Sequence, residues 1–290
     1  MTAQPLRLAG APISWGVCEV PGWGYQLSPA RVLAEMHDAG LAATEFGPDG
    51  FLPADPAGKA AILDRHGLAP VGGFVPVVLH EPAADPLLQI ARALDDFAGA
   101  GAGVLVLAAA TGLRGYDARP ELDDGAWQSL LANLDTAAAM GADRGILATL
   151  HPHVGTIVER PEEVRRVLDG SSIQLCLDSG HLLIGGTDPA ELARQAHGRV
   201  AHAHLKDVDA GWAGRVRRGE VSYTAAVVGG LYRPLGQGDV DVACLVGALR
   251  AVGYHGWYVL EQDTVLSEEP AGEGPVADVR ASIAYLRGLP

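Results

Sequence analysis

The stretch 172-SIQLCLDSGHLLIGGTDPAELARQAHGRVAHAHLKD-207 decides the fold. Its two apolar runs, 172-SIQLCLD-178 and 199-RVAHAHLK-206, are typical of buried strands. Between them, 188-DPAELARQAHG-198 is typical of a helix. We therefore predict a strand–helix–strand unit, the building block of a parallel sheet.

The same alternation of strand and helix patterns runs along the whole chain. The other candidate strands are 6–14, 41–46, 68–77, 103–108, 144–150 and 256–262. The other candidate helices are 28–40, with Ser28 as its N-cap, 85–101, 124–142, 161–170 and 239–253. Eight strands in a chain of 290 residues predict a (β/α)₈ TIM barrel, as a single domain over residues 1–290. A doubly wound open sheet is the alternative, although no GxGxxG motif follows the first strand.

One connection, 207–238, is much longer than a usual βα loop and shows no clear helical or strand period. It follows the seventh predicted strand, so it stands on the face where barrel enzymes carry their active sites. Its larger side chains are Trp212, Arg215, Arg217, Arg218, Tyr223 and Tyr232. We predict a lid or one wall of a pocket; an ordered surface excursion or an oligomer contact is the alternative.

Composition excludes several classes of protein. With 48% hydrophobic and 19% charged residues the chain can bury a sizeable core, and its net charge of -14 argues against nucleic acid as a partner. Cys18, Cys176 and Cys244 lie far apart and indicate no disulfide framework, so we expect a reducing, cytoplasmic setting. The longest apolar run, 102–113, is too short to span a membrane, and no signal peptide is evident.

Four consecutive predicted strands end in side chains that bind divalent ions. These residues are His151, Asp178, His204 and Glu261. Each alone would more often be a core histidine, a helix cap or an ion-pair partner, but four on neighbouring strand ends favour a metal site. Two imidazoles and two carboxylates suit Mn²⁺, Co²⁺, Fe²⁺ or Zn²⁺, and such an ion would act as a Lewis acid on a carbonyl group.

Neighbouring residues add to this candidate site. Side chains alternate along a strand, so His202, His204 and Lys206 point to one side, with His202 deeper and closer to the core. The same alternation leaves His153 as a competitor of His151 for the metal, and we favour His151 because it is nearer to the strand.

Several motifs together resemble a known family. They are 11-APISWG-16, 45-EFGPDGF-51, 151-HPHVGT-156, 177-LDSGHLLIGGTDP-189, 204-HLKDV-208, 233-RPLGQGDVD-241 and 260-LEQD-263. In these the chain resembles the xylose-isomerase-like barrels, a superfamily of sugar isomerases, epimerases and type-2 apurinic endonucleases, and within it the inosose (2-keto-myo-inositol) dehydratases. The resemblance implies one divalent ion, Mn²⁺ or Co²⁺ before Mg²⁺, Fe²⁺ or Zn²⁺. Asp178, His204 and Glu261 match three of its ligands, and His151 stands where epimerases carry a Glu.

That resemblance implies a lyase that dehydrates an inosose or a related polyhydroxy ketone to a dione. Lys206 would donate to the carbonyl oxygen or move protons, and Glu261 or His151 would be the base. The expected partner is a small polyol or keto-sugar, with self-association left open. A metal-dependent isomerase or epimerase of a keto-sugar is one alternative, and a non-catalytic sugar-binding barrel is another.

Further substrate contacts are expected around this site. The candidates are His181, Glu45, His153, Arg217 and Trp15. Glu45 ends the second predicted strand, and His181 follows Asp178 by one turn, where it would bind a substrate hydroxyl or orient Asp178. Core packing competes with a substrate contact for Trp15.

Overall fold

The computed structural model describes residues 5–196 and 198–290. Its strands are β1 (Leu8–Gly10), β2 (Ala43–Thr44), β3 (Ala69–Pro70), β4 (Gly72–Val77), β5 (Val104–Ala109), β6 (Leu147–Leu150), β7 (Gln174–Asp178), β8 (Val200–Leu205), β9 (Asp207–Val208), β10 (Tyr232–Arg233) and β11 (Tyr258–Leu260). Its α-helices are α1 (Pro29–Asp38), α2 (Pro56–Arg65), α3 (Pro86–Gly99), α4 (Asp124–Ala142), α5 (Pro161–Gly170), α6 (Ser179–Gly185), α7 (Pro189–Gln195), α8 (Ala210–Arg217), α9 (Tyr223–Val228), α10 (Val242–Ala251) and α11 (Val276–Arg287). Two 3₁₀ turns span Pro12–Trp15 and Pro82–Ala84.

Nine of these strands form one parallel sheet in the order β3-β2-β1-β11-β8-β7-β6-β5-β4. Only Val71 separates β3 from β4, and it joins the two edges of the sheet. Its N–H donates to the Thr44 carbonyl oxygen at 2.9 Å, and its own carbonyl accepts from Val104 at 3.0 Å. The sheet therefore closes into a barrel in which β3 and β4 together are the third of eight strands, and the predicted (β/α)₈ fold is confirmed.

Strands β4 and β5 pack closely against each other in the barrel wall. Every residue of Val104–Ala109 is buried, as expected for a parallel strand covered on both faces. A Cβ atom at Gly72 would lie 1.8 Å from the carbonyl oxygen of Val104. Only glycine allows the two backbones to approach this closely, which explains the Gly-Gly pair inside an apolar run.

Helix signals in the sequence predict six of the eleven described α-helices, namely α1, α3, α4, α5, α7 and α10. The Ser28 side chain accepts a hydrogen bond from the backbone of Arg31 and so caps α1, as predicted. Helix α2 was not among the candidate helices. Asp55 caps it through the backbone N–H of Gly58, but only Leu63 of this helix is buried, so its sequence carries almost no apolar stripe.

The segment 207–238 is not the irregular loop that its sequence suggested. It contains α8 and α9, which lie between the antiparallel partners β9 and β10. These helices have 8 and 6 residues, too few to produce a recognisable apolar period.

Asp207 ties both ends of this segment together. Its carboxylate accepts hydrogen bonds from the backbone N–H groups of Val208, Gly236, Gly238 and Val240, at 2.8 to 3.0 Å. A Cβ atom at Gly238 would lie 2.3 Å from the Asp207 carboxylate, so the stretch 233-RPLGQGDVD-241 folds closely around that side chain. No helix among the described residues is long and apolar enough to cross a membrane.

Candidate metal centre and active site

The four predicted ligands meet at the carboxyl ends of the later barrel strands. His151 follows β6, Asp178 ends β7, His204 lies near the end of β8, and Glu261 follows β11. Three of the four, His151, His204 and Glu261, line a cavity of about 670 Å³. The strand register explains this convergence, because β7 and β8 place Asp178 opposite His204.

Asp178, His204 and Glu261 form a cluster suited to a cation; we call it the ligand cluster. His204 Nδ1 lies 3.3 Å from Glu261 Oε2 and 3.7 Å from Asp178 Oδ2. Among the described residues, neither Asp178 Oδ2 nor His204 Nδ1 has a hydrogen-bond partner, although both atoms are buried. Buried polar atoms without partners are costly unless something else satisfies them, and a divalent ion would do so. The donor set therefore fits a metal ion.

His151 touches this cluster from the side of β6. Its Nε2 lies 3.3 Å from Asp178 Oδ2. The other carboxylate oxygen of Asp178 accepts the backbone N–H of His181 at 2.8 Å and thereby caps α6. One oxygen of Asp178 is thus fixed by a helix, while the other faces the two imidazoles.

Glu45 orients His204 from behind. Its Oε1 accepts from His202 Nε2 at 2.8 Å and from His204 Nε2 at 2.9 Å. Burial alone would raise the pKa of Glu45, but the two histidines lower it to about 2. Because the Nε2–H of His204 points to Glu45, Nδ1 is the nitrogen left to bind a cation. Glu45 was predicted to contact the substrate. It lines the cavity, and its Oε1 is hydrogen-bonded to the ring nitrogens of His202 and His204.

The charge balance at His204 also favours a cation. Burial by itself lowers the pKa of His204, but Cys176, Glu261 and Glu45 raise it well above its usual range. A proton therefore stays on this imidazole when no other cation balances the carboxylates, and cation binding would release it.

Lys206 is held by a network of buried side chains. Its Nζ lies 2.6 Å from Asp263 Oδ1, 3.0 Å from Glu261 Oε2 and 3.0 Å from His181 Nε2. Burial alone would lower the pKa of Lys206, but Asp263, Glu261 and Asp178 raise it well above its usual range. The ammonium group thus stays charged and beside the ligand cluster.

The segment 207–238 supplies the outer part of this network. Tyr223 donates its hydroxyl proton to Asp263 Oδ2 at 2.6 Å, and the hydroxyls of Tyr223 and Tyr232 are 2.7 Å apart. Tyr223 also lines the cavity, so this segment does form part of the cavity wall. Asp263 was not predicted as a site residue, although it follows Glu261 by two positions in the quoted motif 260-LEQD-263.

His153 lies in the cavity wall as a neutral ring. Its Nδ1 is 2.7 Å from the carbonyl oxygen of Val154, to which it donates, and Nε2 is left as an acceptor. Burial, with His151 and Lys206 nearby, lowers the pKa of His153 to about 3. The Tyr116 ring covers it with a centroid separation of 5.2 Å. The His153 ring is thus neutral, and its predicted contact with the substrate stays a prediction.

Comparison with known proteins places this architecture in a family. Residues 33–289 match the xylose isomerase-like TIM barrel family. The chain belongs to this family. The resemblance stated from the sequence motifs is therefore confirmed.

Relatives of this xylose isomerase-like barrel cover nearly its whole length. An inosose dehydratase from Geobacillus kaustophilus is 30% identical over 301 residues, covering 99% of this chain and 96% of that protein. The rhizopine catabolism protein MocC from Rhizobium meliloti is 33% identical over 274 residues, covering 89% of this chain and 82% of that protein. A structure of L-ribulose 3-epimerase superposes with a TM-score of 0.72 at 16% identity, covering 98% of this chain and 94% of that one. The structure of the IOLI protein with a bound zinc atom superposes with a TM-score of 0.72 at 13% sequence identity. The match covers 97% of this chain and 98% of that one.

Two predicted substrate contacts of this xylose isomerase-like barrel lie away from the cavity lining. The indole N–H of Trp15 donates to Glu35 on α1 at 2.7 Å, and the ring is fully buried in the core. The Arg217 guanidinium donates to the carbonyl oxygens of Leu183 and Ile184, at 2.6 and 2.9 Å. These carbonyls lie at the C-terminal end of α6, where a cation is favoured. Trp15 and Arg217 thus contact other parts of the protein, and their contact with a substrate stays a prediction.

Proposed function

We propose that this barrel is a lyase that removes water from an inosose, or a closely related polyhydroxy ketone, with one divalent ion, Mn²⁺ or Co²⁺. The observation that carries the proposal is the ligand cluster of Asp178, His204 and Glu261 beside the Lys206 ammonium. His204, Glu261 and Lys206 line one cavity. The 30% identity to an inosose dehydratase over 99% of the chain supports the choice of substrate and reaction.

Asp178, His204 and Glu261 would hold the ion, with His151 as the fourth ligand. Mixed nitrogen and oxygen donors suit Mn²⁺ and Co²⁺. When bound, such an ion supplies Lewis-acid stabilisation of the negative charge that develops on the ketone oxygen.

Glu261 is the base that the contacts favour. Its Oε2 is occupied by Lys206 and His204, but no described residue donates to its other oxygen, and the side chain lines the cavity. His151 is the other candidate, yet its Nε2 already faces Asp178 at 3.3 Å. Lys206 donates to the ketone oxygen by exchanging its contact with His181 for one with the substrate.

The reaction balances with these residues alone moving protons. Glu261 takes the proton α to the ketone, the electron pair of that C–H bond forms the C=C bond, and the β C–O bond breaks. The proton on Glu261 passes to the departing hydroxyl oxygen, so that water leaves and the carboxylate is restored. The enol product then tautomerises to the dione. An epimerase would instead need a second base on the opposite face of the ring. At the position where epimerases carry a Glu, this chain has His151.

Incubation with Mn²⁺ and scyllo-inosose, followed by mass spectrometry, tests the proposal. We expect a product lighter by one water. A product of unchanged mass would support the isomerase or epimerase alternative, and no product with any inosose isomer would contradict both.

Variants separate the metal from the chemistry. His204→Ala and Asp178→Asn should lose both the ion and activity, whereas Lys206→Ala should keep the ion and lose turnover. Arg144→Ala is the control, because Arg144 pairs with Asp95 at 2.8 Å and neither residue lines the cavity. Unchanged turnover in Lys206→Ala would show that its assigned role is wrong.

A further inference from the structure

The cavity that reaches the ligand cluster is larger than one polyol ring requires. Its volume is about 670 Å³. A six-carbon polyol ring has twelve heavy atoms and occupies on the order of 200 Å³, if each atom takes about half of the ~30 Å³ share of a water molecule. Most of the cavity therefore remains when a ring lies at the ligand cluster.

The additional space extends outward between α2 and α3; we call it the outer arm. Its lining combines apolar side chains, Pro48 and Pro53 before α2, Val75 and Pro76 on β4, and Ala93 on α3, with the charged side chains of Lys59, Arg92 and Asp96. These side chains are exposed or half-buried, in contrast to the buried core beneath them.

The base of the outer arm is rigid. Phe46 and Phe97 pack edge to face with ring centroids 5.2 Å apart. A Cβ atom at Gly73 would lie 3.2 Å from the Phe97 ring, so the strand approaches α3 closely at this point. Gln89 of α3 donates to the carbonyl oxygen of Pro76 at 3.0 Å and fixes the helix against the strand edge. A pre-formed space lined mainly by apolar side chains, with a few polar groups, is typical of ligand sites.

We propose that the outer arm binds an apolar substituent, aromatic in the best case, that is attached through oxygen to the polyol ring at the ligand cluster. The substrate class is then a ring-substituted polyol ketone. This inference rests on the proposed function for the identity of the ring. The occupant follows from continuity, because a single cavity contains both the outer arm and His151, His204 and Glu261.

Rigid walls favour such a group over a flexible one. Pro48, Pro53 and Pro76 have no side-chain rotamer freedom to lose when a ligand packs on them. Burial of about 60 Å² of an aromatic ring at ~25 cal/mol per Å² corresponds to about tenfold in affinity.

The test compares two non-reacting ligands, myo-inositol and mono-O-benzyl-myo-inositol, titrated by calorimetry into the full chain with Mn²⁺ present. We expect the benzyl ether to bind about tenfold more tightly. Ala93→Phe fills the outer arm and should abolish this preference without changing the affinity for myo-inositol. Gln89→Trp repeats the test from an exposed position, in case Ala93→Phe fails to fold. Ala98→Phe, the same change at an exposed position of α3 outside the cavity, should have no effect.

Each outcome is decisive. Equal affinity of the two ligands, or a preference that persists in both arm-filling variants, would overturn the inference. If the preference is present but inosose is not dehydrated, the proposed function fails and the outer arm stands. If inosose is dehydrated without any such preference, the proposed function stands and the outer arm has no such role.

Discussion

Removal of the Glu45 carboxylate should weaken metal binding without altering any proposed ligand. Its Oε1 is the shared acceptor for His202 and His204, at 2.8 and 2.9 Å. In Glu45→Ala, the Nε2–H of His204 loses its acceptor, so nothing favours the tautomer that presents Nδ1 to Asp178 and Glu261. Loss of such a carboxylate partner costs about 10–100-fold in metal affinity, or about 1.4–2.8 kcal/mol.

The two possible substitutions should differ in size of effect. Glu45→Gln keeps an oxygen at the same place but removes the charge, and a neutral hydrogen bond has about half the strength of a charge-assisted one. We therefore expect about tenfold weaker Mn²⁺ binding for Glu45→Gln and about hundredfold weaker binding for Glu45→Ala.

Mn²⁺ affinity measured by competition with a chelator is the appropriate assay. Glu35→Gln is the matched control, since Glu35 accepts the indole N–H of Trp15 at 2.7 Å and does not line the cavity. Its Mn²⁺ affinity should be unchanged. If Glu45→Ala binds Mn²⁺ as tightly as the unmodified chain, Glu45 does not orient His204 and the reasoning is refuted.

Four further outcomes follow from the contacts. Tyr223→Phe removes the hydrogen bond to Asp263 and should lower the free energy of unfolding by about 1.5–3 kcal/mol. It should also reduce kcat and leave the Mn²⁺ affinity unchanged. A normal kcat would exclude a positioning role for Tyr223. Asp207→Asn leaves two backbone N–H groups without an acceptor, at about 1–3 kcal/mol each, which urea unfolding would reveal as a lower midpoint. Arg217→Ala should lower the melting temperature and leave KM unchanged, because its guanidinium binds α6; a raised KM would instead place it at the substrate. Mn²⁺ at a hundredfold excess over its Kd should stabilise the chain by ~2.7 kcal/mol, and calorimetry that shows no stabilisation would contradict the metal site.

The fold could be predicted because its signal is periodic and repeated. Each barrel strand is short, apolar and bounded by turn residues, and parallel strands all end at one rim. That rule alone was enough to predict that His151, Asp178, His204 and Glu261 meet, although 110 positions separate the first from the last. No alternation rule could predict the 2.9 Å contact of Glu45 with His204, because these residues are 159 positions apart and the contact depends on side-chain directions at the strand ends.

The choice between His151 and His153 shows where alternation stops being informative. A continuous strand would direct both rings to one side. Strand β6 ends at Leu150, and Pro152 has no N–H with which to extend the ladder. The two rings consequently meet different partners: His151 Nε2 faces Asp178 at 3.3 Å, whereas His153 Nδ1 donates to the Val154 carbonyl and its ring stacks on His181 at 3.7 Å. These contacts favour His151 over His153 as the additional ligand, because only the His151 ring faces Asp178. A hydrogen bond from the substrate to His153 stays a prediction.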